Sequence, residues 1–155
     1  MTINTVADLT YEFAGRQALQ PNWPIGYDFS EGPYKNICST PESIQQNLVF
    51  LLKTIPGSWP MNPDIGVGLE TYLFETYGSP KLDEFRPILE SQVKKYLPCI
   101  KILRARFSAS DQQKDESVAN LTIIYHIPSL GEHASVRCSS SISGQVLVEP
   151  DVLEI

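Results

Sequence analysis

Apolar residues recur at helical spacing in the segment that precedes residue 97. The first apolar stripe follows Thr40-Pro41 and consists of Ile44, Leu48, Leu51, Leu52 and Ile55. A threonine caps a helix well, and a proline in the first helical turn sacrifices no backbone hydrogen bond. The pattern therefore predicts a helix that starts at residue 40 and ends at Pro56-Gly57.

Two further helical segments follow the first. Residues 69–77 (LETYLFETY) predict two helical turns that end at Gly78. Ser79-Pro80 repeats the capping signal, and the apolar face after it consists of Leu82, Phe85, Ile88, Leu89, Val93 and Tyr96. Pro87 is expected to kink or restart this third helix, because proline lacks the N–H group and clashes with the preceding turn.

From residue 100 onward the period changes to two, which indicates β-strands. On one face of the first strand we expect Leu103, Ala105, Phe107 and Ala109. On one face of the second strand we expect Leu121, Ile123, Tyr125 and Ile127. Residues 134–142 predict a third strand with Val136, Cys138, Ser140 and Ile142 on one side. Residues 145–148 predict a short fourth strand that Pro150 ends.

These elements predict an α+β fold in which three N-terminal helices pack on a three- to four-stranded antiparallel sheet. Residues 1–38 contain aromatic residues, prolines and glycines without a sustained period. We expect them to form an extended N-terminal arm. The predicted division is this arm, an α+β domain at residues 39–144, and a C-terminal strand and extended tail at residues 145–155.

Composition and charge narrow the class of protein. With 155 residues, the chain suits one soluble globular domain, and no apolar run approaches the ~20 residues of a membrane span. The formal net charge of -6 has the wrong sign for binding phosphates, which argues against a nucleic-acid partner. The N-terminal residues lack the features of a signal peptide, so we expect synthesis in the cytoplasm.

The potential metal ligands are sparse and scattered. Cys38, Cys99 and Cys138 are odd in number and form no CxxC pair, so we expect reduced, mostly buried thiols. His126 and His133 have no clustered Cys, His or Asp beside them. We therefore predict neither a metal site nor a cofactor.

The segment that joins the first two helices, PGSWPMNPDIGVG, combines three prolines with three glycines in thirteen residues. The six positions are Pro56, Gly57, Pro60, Pro63, Gly66 and Gly68. Prolines restrict the unfolded chain, and glycines permit tight turns. We expect a rigid structural loop that fixes how the two helices meet.

Basic residues concentrate in one short segment of this acidic chain. Five of the twelve basic residues lie within thirteen positions, namely Lys94, Lys95, Lys101, Arg104 and Arg106. A solvated helix and strand face accounts for such a cluster. An acidic protein partner is the alternative interpretation, because complementary charges favour association.

Residues 47–75 (NLVFLLKTIPGSWPMNPDIGVGLETYLFE), residues 94–102 (KKYLPCIKI) and the strands after them resemble the baseplate wedge family of contractile phage tails. That family includes the wedge protein of T-even phages and the small baseplate subunit of type VI secretion systems. The resemblance covers residues 44–127. The block that carries most of it consists of Thr54, Gly57-Ser58, Pro60, Asn62-Pro63-Asp64, Gly66, Gly68-Leu69 and Leu73-Phe74-Glu75.

The resemblance implies a structural protein of the virion, located in the tail baseplate around the tail tube. Such a protein docks on the core bundle of the baseplate wedge and is similar to the interlocking domain of the sheath subunit. It would act as sheath initiator by offering the first sheath ring a strand edge as template. The implied partners are wedge core-bundle proteins, the sheath protein, and the tail tube or hub, with several copies per baseplate and with neither nucleic acid nor membrane.

The chain departs from the family at one motif. Family members carry a Glu-Pro-Arg triplet after the third helix, where this chain has Leu97, Pro98 and Cys99. Apolar contact is therefore expected in place of a salt-bridged dock. The predicted partner-binding residues are Lys94, Lys95, Tyr96, Leu97, Pro98, Cys99, Arg104 and Arg106.

Two other functions remain open at this point. A peptidoglycan-degrading, lysozyme-like enzyme of the tail would depend on Asp64, Glu70 and Glu75, since glycosidases use a pair of carboxylates. An adaptor in a phage-derived toxin-delivery particle would show the same sequence features as a phage baseplate protein.

Overall fold

The computed structural model describes residues 18–26, 34–73, 75, 79–108, 120–140 and 146–151. Within these residues the elements are β1 (Gln20–Pro21), β2 (Asn36–Ile37), α1 (Thr40–Lys53), α2 (Glu70–Leu73), α3 (Pro80–Tyr96), β3 (Lys101–Ser108), β4 (Asn120–Ile127), β5 (Glu132–Ser140) and β6 (Val146–Asp151). The chain divides into two units, Met1–Gln46 and Asn47–Ile155, and the division falls inside α1. The predicted α+β class is confirmed, while the predicted boundaries at residues 38 and 144 stay predictions.

In the first unit, a short ribbon is bound to the start of α1 by two glutamine side chains. Strands β1 and β2 pair antiparallel, with Gln20 opposite Ile37. The Gln20 amide donates to the Ser43 carbonyl at 3.2 Å. The Gln46 side chain accepts the Trp23 N–H at 2.8 Å and donates to the Pro21 carbonyl at 2.9 Å. The rest of the predicted arm, residues 1–17 and 27–33, lies outside the described residues.

The two long helices follow the apolar stripes that predicted them. In α1, the buried residues are Ile44, Leu48, Leu51 and Leu52. Ile55 is 48% exposed, because α1 ends at Lys53 and the stripe has no helix left to extend it. Its predicted place in the core was wrong. In α3, Phe85, Leu89 and Val93 are buried, and the Ser79 hydroxyl caps the helix by accepting the Lys81 N–H at 3.4 Å.

Two helical details differ from expectation. Helix α2 has four residues, one turn instead of two, while its predicted stop at Gly78 lies outside the described residues. Helix α3 does not restart at Pro87 but runs through it, while the expected kink stays a prediction. The missing N–H would have bonded the carbonyl of Asp83, and Asp83 is exposed, so water can satisfy that carbonyl.

Four strands form an antiparallel sheet in the order β3-β4-β5-β6. The alternation of β4 is confirmed, because Leu121, Ile123, Tyr125 and Ile127 are fully buried. The fourth strand passes through Pro150 instead of ending there. Strand β6 is the last in the order, and an edge strand tolerates a proline that donates no ladder bond.

A β-bulge interrupts β3 and changes which side chains face the core. The register against β4 shifts between Ile102 and Arg104. Leu103 is therefore 48% exposed, against prediction, while Ile102 is partly buried. Beyond the bulge, Ala105 and Phe107 are partly buried as their spacing predicts. The bulge inserts one residue and so shifts the alternation.

A chain of three aromatic rings joins α2, α3 and β3 in the second unit. The Tyr72 and Phe85 rings meet edge to face with centroids 5.1 Å apart, and Phe85 and Phe107 do so at 5.0 Å. Each such pair is worth about 0.5–1.5 kcal/mol beyond the buried area. These contacts hold the last helix against the first strand of the sheet.

Burial affects the chemistry of two side chains in the sheet. Tyr125 is fully buried, and its hydroxyl has no hydrogen-bond partner in the described part of the chain. Burial raises the pKa of Tyr125 to about 12 and that of the buried Cys138 thiol to about 11. Cys38 and Cys99 are exposed, so the expectation of mostly buried thiols was wrong for them. Cys38 lies between β2 and α1, and Cys99 lies in the turn between α3 and β3.

We predict that Tyr125→Phe stabilises the protein by about 1 kcal/mol at pH 7, because it removes a buried hydroxyl without a partner. The raised pKa also sets a pH dependence. The unfolded tyrosine ionises near pH ~10 while the folded one stays protonated, so wild-type stability falls as pH rises from about 10 to about 12. Urea unfolding from pH 7 to 12 measures both effects. A loss of stability at pH 7 in the variant would contradict the prediction.

Candidate docking site

Three consecutive β-turns build the proline loop, which we define as residues 55–68. The Ser58 N–H donates to the Ile55 carbonyl at 3.1 Å, the Asn62 N–H to the Trp59 carbonyl at 3.1 Å, and the Ile65 N–H to the Asn62 carbonyl at 3.3 Å. The second position of the turns is taken by Pro56, Pro60 and Pro63, respectively. Proline favours that position because its ring fixes φ at the required value. Each of the three prolines that the sequence analysis assigned to a rigid loop thus defines one turn.

The last part of the proline loop returns to the C-terminal end of α1. The Val67 N–H donates to the Leu51 carbonyl at 3.1 Å and the Leu69 N–H to the Leu52 carbonyl at 2.9 Å. The Gly68 N–H donates to the Thr54 carbonyl at 2.9 Å. The last carbonyls of a helix have no partner within the helix. Here the loop supplies those partners, and its position is fixed by them.

Close backbone approach explains Gly66. Its φ of 110° lies in the region that side chains rarely adopt, and a Cβ there would stand 2.2 Å from the Thr54 carbonyl oxygen. Gly68 also has a positive φ, and a Cβ there would approach Pro56 at 3.0 Å. Gly57 has a φ of 86° but faces open space. Of these three positions, only residue 66 therefore requires glycine for two reasons, namely its positive φ and its close contact with backbone atoms.

The proline loop is bound to the last turns of α3 by two side chains. The Gln92 amide donates to the Asp64 carbonyl at 2.9 Å, and its oxygen accepts the Gly66 N–H at 3.2 Å. The Tyr96 hydroxyl donates to Asn62 Oδ1 at 3.0 Å. We call the combined exposed area of loop residues 55–65 and of residues 94–99 the loop–helix surface. Sequence reasoning gave Gln92 and Asn62 no place in a binding site, because hydrogen bonds between residues that are far apart in the sequence leave no periodic signal.

The predicted partner-binding residues fall into two groups. Lys94, Lys95, Pro98 and Cys99 are exposed on the loop–helix surface, and Tyr96 and Leu97 are partly buried there. Residues 97–100 form a further turn, in which the Ile100 N–H donates to the Leu97 carbonyl at 3.2 Å. Arg104 and Arg106 lie instead on β3, where both are exposed. The structure thus brings six of the eight residues together.

Three large apolar side chains project from the proline loop into solvent. Ile55 is 48% exposed, Trp59 60% and Met61 96%. Tryptophan and methionine are enriched in protein–protein interfaces, and rigid anchors lose little entropy on binding. Sequence reasoning did not single out Trp59 and Met61, and it placed Ile55 in the core. The available signal was the presence of large apolar residues between prolines, where no core periodicity accounts for them.

A lysine side chain borders this apolar area. Lys95 Nζ lies 3.9 Å from the Asp64 carboxylate and 5.0 Å from the centre of the Tyr96 ring. Both charged groups are solvent-exposed, so this pair contributes little to stability. The loop–helix surface therefore combines exposed apolar groups, aromatic character and positive charge.

The three carboxylates that a lysozyme-like enzyme would use lie in separate surroundings. The Asp64 side chain is 79% exposed beside Lys95, and Glu75 is paired with Lys81. Glu70 lies in the first turn of α2. In the residues that the structure describes, no group of three or more His, Cys, Asp or Glu side chains could hold a metal ion. Over the same residues, no helix combines the length and the apolar character that crossing a membrane requires.

Comparison with known proteins identifies the family. The profile described as baseplate wedge protein gp25 matches residues 38–130, more than half of the chain. The chain belongs to this family, a class of contractile-tail baseplate proteins, as its resemblance implied. Among curated proteins, none matches the chain significantly.

Two solved structures share the fold. One is a crystal structure of a candidate tail lysozyme from Geobacter sulfurreducens, with 21% identity and a TM-score of 0.52, covering 78% of this chain and 97% of that one. The other is a chain of the cryo-EM structure of the anti-feeding prophage baseplate, with 17% identity and a TM-score of 0.58, covering 74% of this chain and 88% of that one. At such identities, these likenesses establish the fold and not the activity.

We predict that Gly66→Ala destabilises the protein by about 2–4 kcal/mol, since it combines an unfavourable φ with a clash against backbone. Gly57→Ala is the matched control, because it has a positive φ without neighbours, and we expect a cost of about 1–2 kcal/mol. Urea unfolding of both variants gives the comparison. Equal losses would show that the contact with Thr54 does not constrain the loop.

We predict that Gln92→Ala costs about 1–2 kcal/mol, because two hydrogen bonds to backbone groups are lost. Tyr96→Phe removes only the bond to Asn62 and should cost less. Amide hydrogen exchange at Gly66 provides a local readout, since its N–H loses its acceptor in Gln92→Ala alone. Unchanged exchange at Gly66 would contradict the proposed bridge.

Proposed function

We propose that the protein is a non-enzymatic structural component of a contractile tail baseplate that docks on wedge core-bundle proteins and templates the first sheath ring. Family membership supports the baseplate assignment, and the shared fold with a chain of the anti-feeding prophage baseplate agrees with it. The observation that carries the finer proposal is the free edge of the sheet at β3. Among the described strands, β3 pairs with β4 alone.

The β3 edge is suited to accept a further strand. It runs over eight residues without a proline, and it ends the described sheet on one side. An unpaired edge presents N–H and C=O groups that a strand of a neighbouring protein can bond. The opposite edge, β6, is shorter and contains Pro150. We therefore assign strand addition by the sheath protein to β3.

The loop–helix surface is the proposed contact with the wedge core bundle. Its exposed apolar residues agree with the replacement of Glu-Pro-Arg by Leu97, Pro98 and Cys99, since both features favour apolar over ionic docking. The turns that contain Trp59 and Met61 fix the backbone from which both side chains project before binding. The same surface would serve in a phage tail, which we propose, or in a phage-derived injection particle.

A structural role also fits the acidic side chains better than a lysozyme-like one does. A glycosidase needs a carboxylic acid whose pKa is raised, typically by an apolar pocket. Asp64 is largely exposed beside a lysine, and Glu75 is paired with Lys81. Both carboxylates thus lie beside a lysine side chain.

We predict that a Trp59→Ala/Met61→Ala double variant, expressed in place of the wild type, lowers copurification of wedge proteins at least fivefold, because anchors at the centre of an interface carry much of its energy. Leu130→Ala is the matched control, since Leu130 is also an exposed apolar residue of a turn and lies outside the loop–helix surface. Quantitative mass spectrometry of purified tails gives the ratio.

The same tails test the wider proposal. Without the protein, we expect tail tubes that lack an assembled sheath in electron micrographs. Absence of the wild-type protein from purified tails, or normal sheath in its absence, contradicts the function. Full wedge copurification with the double variant contradicts only the assigned docking surface.

A further inference from the structure

A cleft of about 370 Å³ lies between α3 and the edge strand β3. Its lining residues are Ser79, Leu82, Asp83, Arg86, Ala105, Arg106 and Phe107. Three of them are consecutive in β3, although consecutive side chains of a strand point to opposite faces of the sheet. A cleft beside an edge of the strand contacts all three. Because β4 occupies one edge, the cleft opens at the other, free edge.

The chemistry of the cleft differs between its two sides. Leu82, Ala105 and Phe107 are partly buried and give it an apolar side toward α3. Arg106 is exposed on the opposite face, next to Arg104 and Lys101. The basic side chains share this face because the bulge at Leu103 shifts the alternation between Lys101 and Arg104.

These three basic side chains lack partners of their own within the described segments, where none forms an ion pair with a carboxylate. By contrast, Arg86 in the cleft is paired with Glu90 at 2.8 Å. A row of positive charge on a chain of net charge -6 is complementary to an acidic segment. A strand that adds to β3 would place alternate residues against the basic row and into the apolar side of the cleft.

We propose that the β3 edge and this cleft recognise an extended segment of a partner protein with the pattern acidic–apolar–acidic. The two acidic side chains face Arg104 and Arg106, and the apolar side chain between them enters the cleft against Leu82 and Phe107. This inference rests on the proposed strand addition and specifies the sequence that the added strand carries. It concerns the β3 edge alone and makes no use of the loop–helix surface.

Short blocked peptides test the pattern on the full chain in solution. The probes are acetylated and amidated Thr-Glu-Val-Glu-Thr, its Thr-Lys-Val-Lys-Thr counterpart, and Thr-Glu-Ser-Glu-Thr, titrated into ¹⁵N-labelled protein. We expect the Glu-Val-Glu peptide to bind about tenfold more tightly than the lysine peptide and to shift the amides of β3 and of Leu82 and Arg86. The serine peptide should bind more weakly than the valine peptide, because it leaves the apolar side of the cleft unfilled.

Charge reversal provides the decisive control. Arg104→Glu/Arg106→Glu should invert the preference between the two charged peptides, whereas Lys35→Glu/Lys53→Glu, with the same change in net charge, should preserve it. A dispersed ¹⁵N spectrum verifies that each variant folds. Equal affinity for both charged peptides, shifts confined to β6, or no binding at about 5 mM would each overturn the proposal.

The peptide experiment and the experiment on purified tails can fail separately. If the peptides show no preference while purified tails still require the protein for sheath, the recognition pattern is wrong and the function stands. If the peptides bind as expected but the protein is absent from tails, the function is wrong and the pattern stands.

Discussion

The bonds between the C-terminal carbonyls of α1 and the backbone of the proline loop set the position of the candidate docking site. Each of these bonds contributes only about 1 kcal/mol net, but an unsatisfied buried carbonyl would cost more. Because the loop returns to Leu51, Leu52 and Thr54, its residues 64–66 come within reach of Gln92 on α3. The end of one helix, a loop and the end of another helix are thereby joined by hydrogen bonds to backbone groups.

This arrangement allows the loop to expose large apolar side chains. A loop held by hydrophobic packing would bury Trp59 and Met61, whereas a loop held by backbone bonds and proline turns leaves them free for another protein. The two proposed binding surfaces therefore differ in the kind of contact that they suit. Apolar anchors on rigid turns suit a permanent contact in the baseplate, and an open strand edge with a charged face suits a neighbour that is added during assembly.

The sequence predicts well those elements in which one buried face alone determines the spacing of the apolar residues. The alternation of β4 and the stripes of α1 and α3 are of this kind, since each has one face in the core. Leu103 was misplaced because a bulge depends on pairing with another strand, which one sequence does not display. Pro150 was misinterpreted because its tolerance depends on the position of β6 at the sheet edge. For the candidate site, the prolines and glycines predicted a rigid loop between two helices. They did not predict the bridge through Gln92, because that bridge joins residues that are far apart in the sequence.

The bulge in β3 determines on which side of the sheet Lys101 lies. Lys101 is separated from Arg104 by an odd number of steps along the chain, and only the additional residue at Leu103 returns both to one side of the sheet. Exchanging an arginine for a lysine would keep the charge where it is. Straightening the ladder at constant length would carry Lys101 to the core face, whereas deleting Leu103 would remove the bulge and one step together and leave Lys101 and Arg104 on the same side. The segment can therefore lose this residue together with its irregularity, but it cannot lose the irregularity alone without burying a charge.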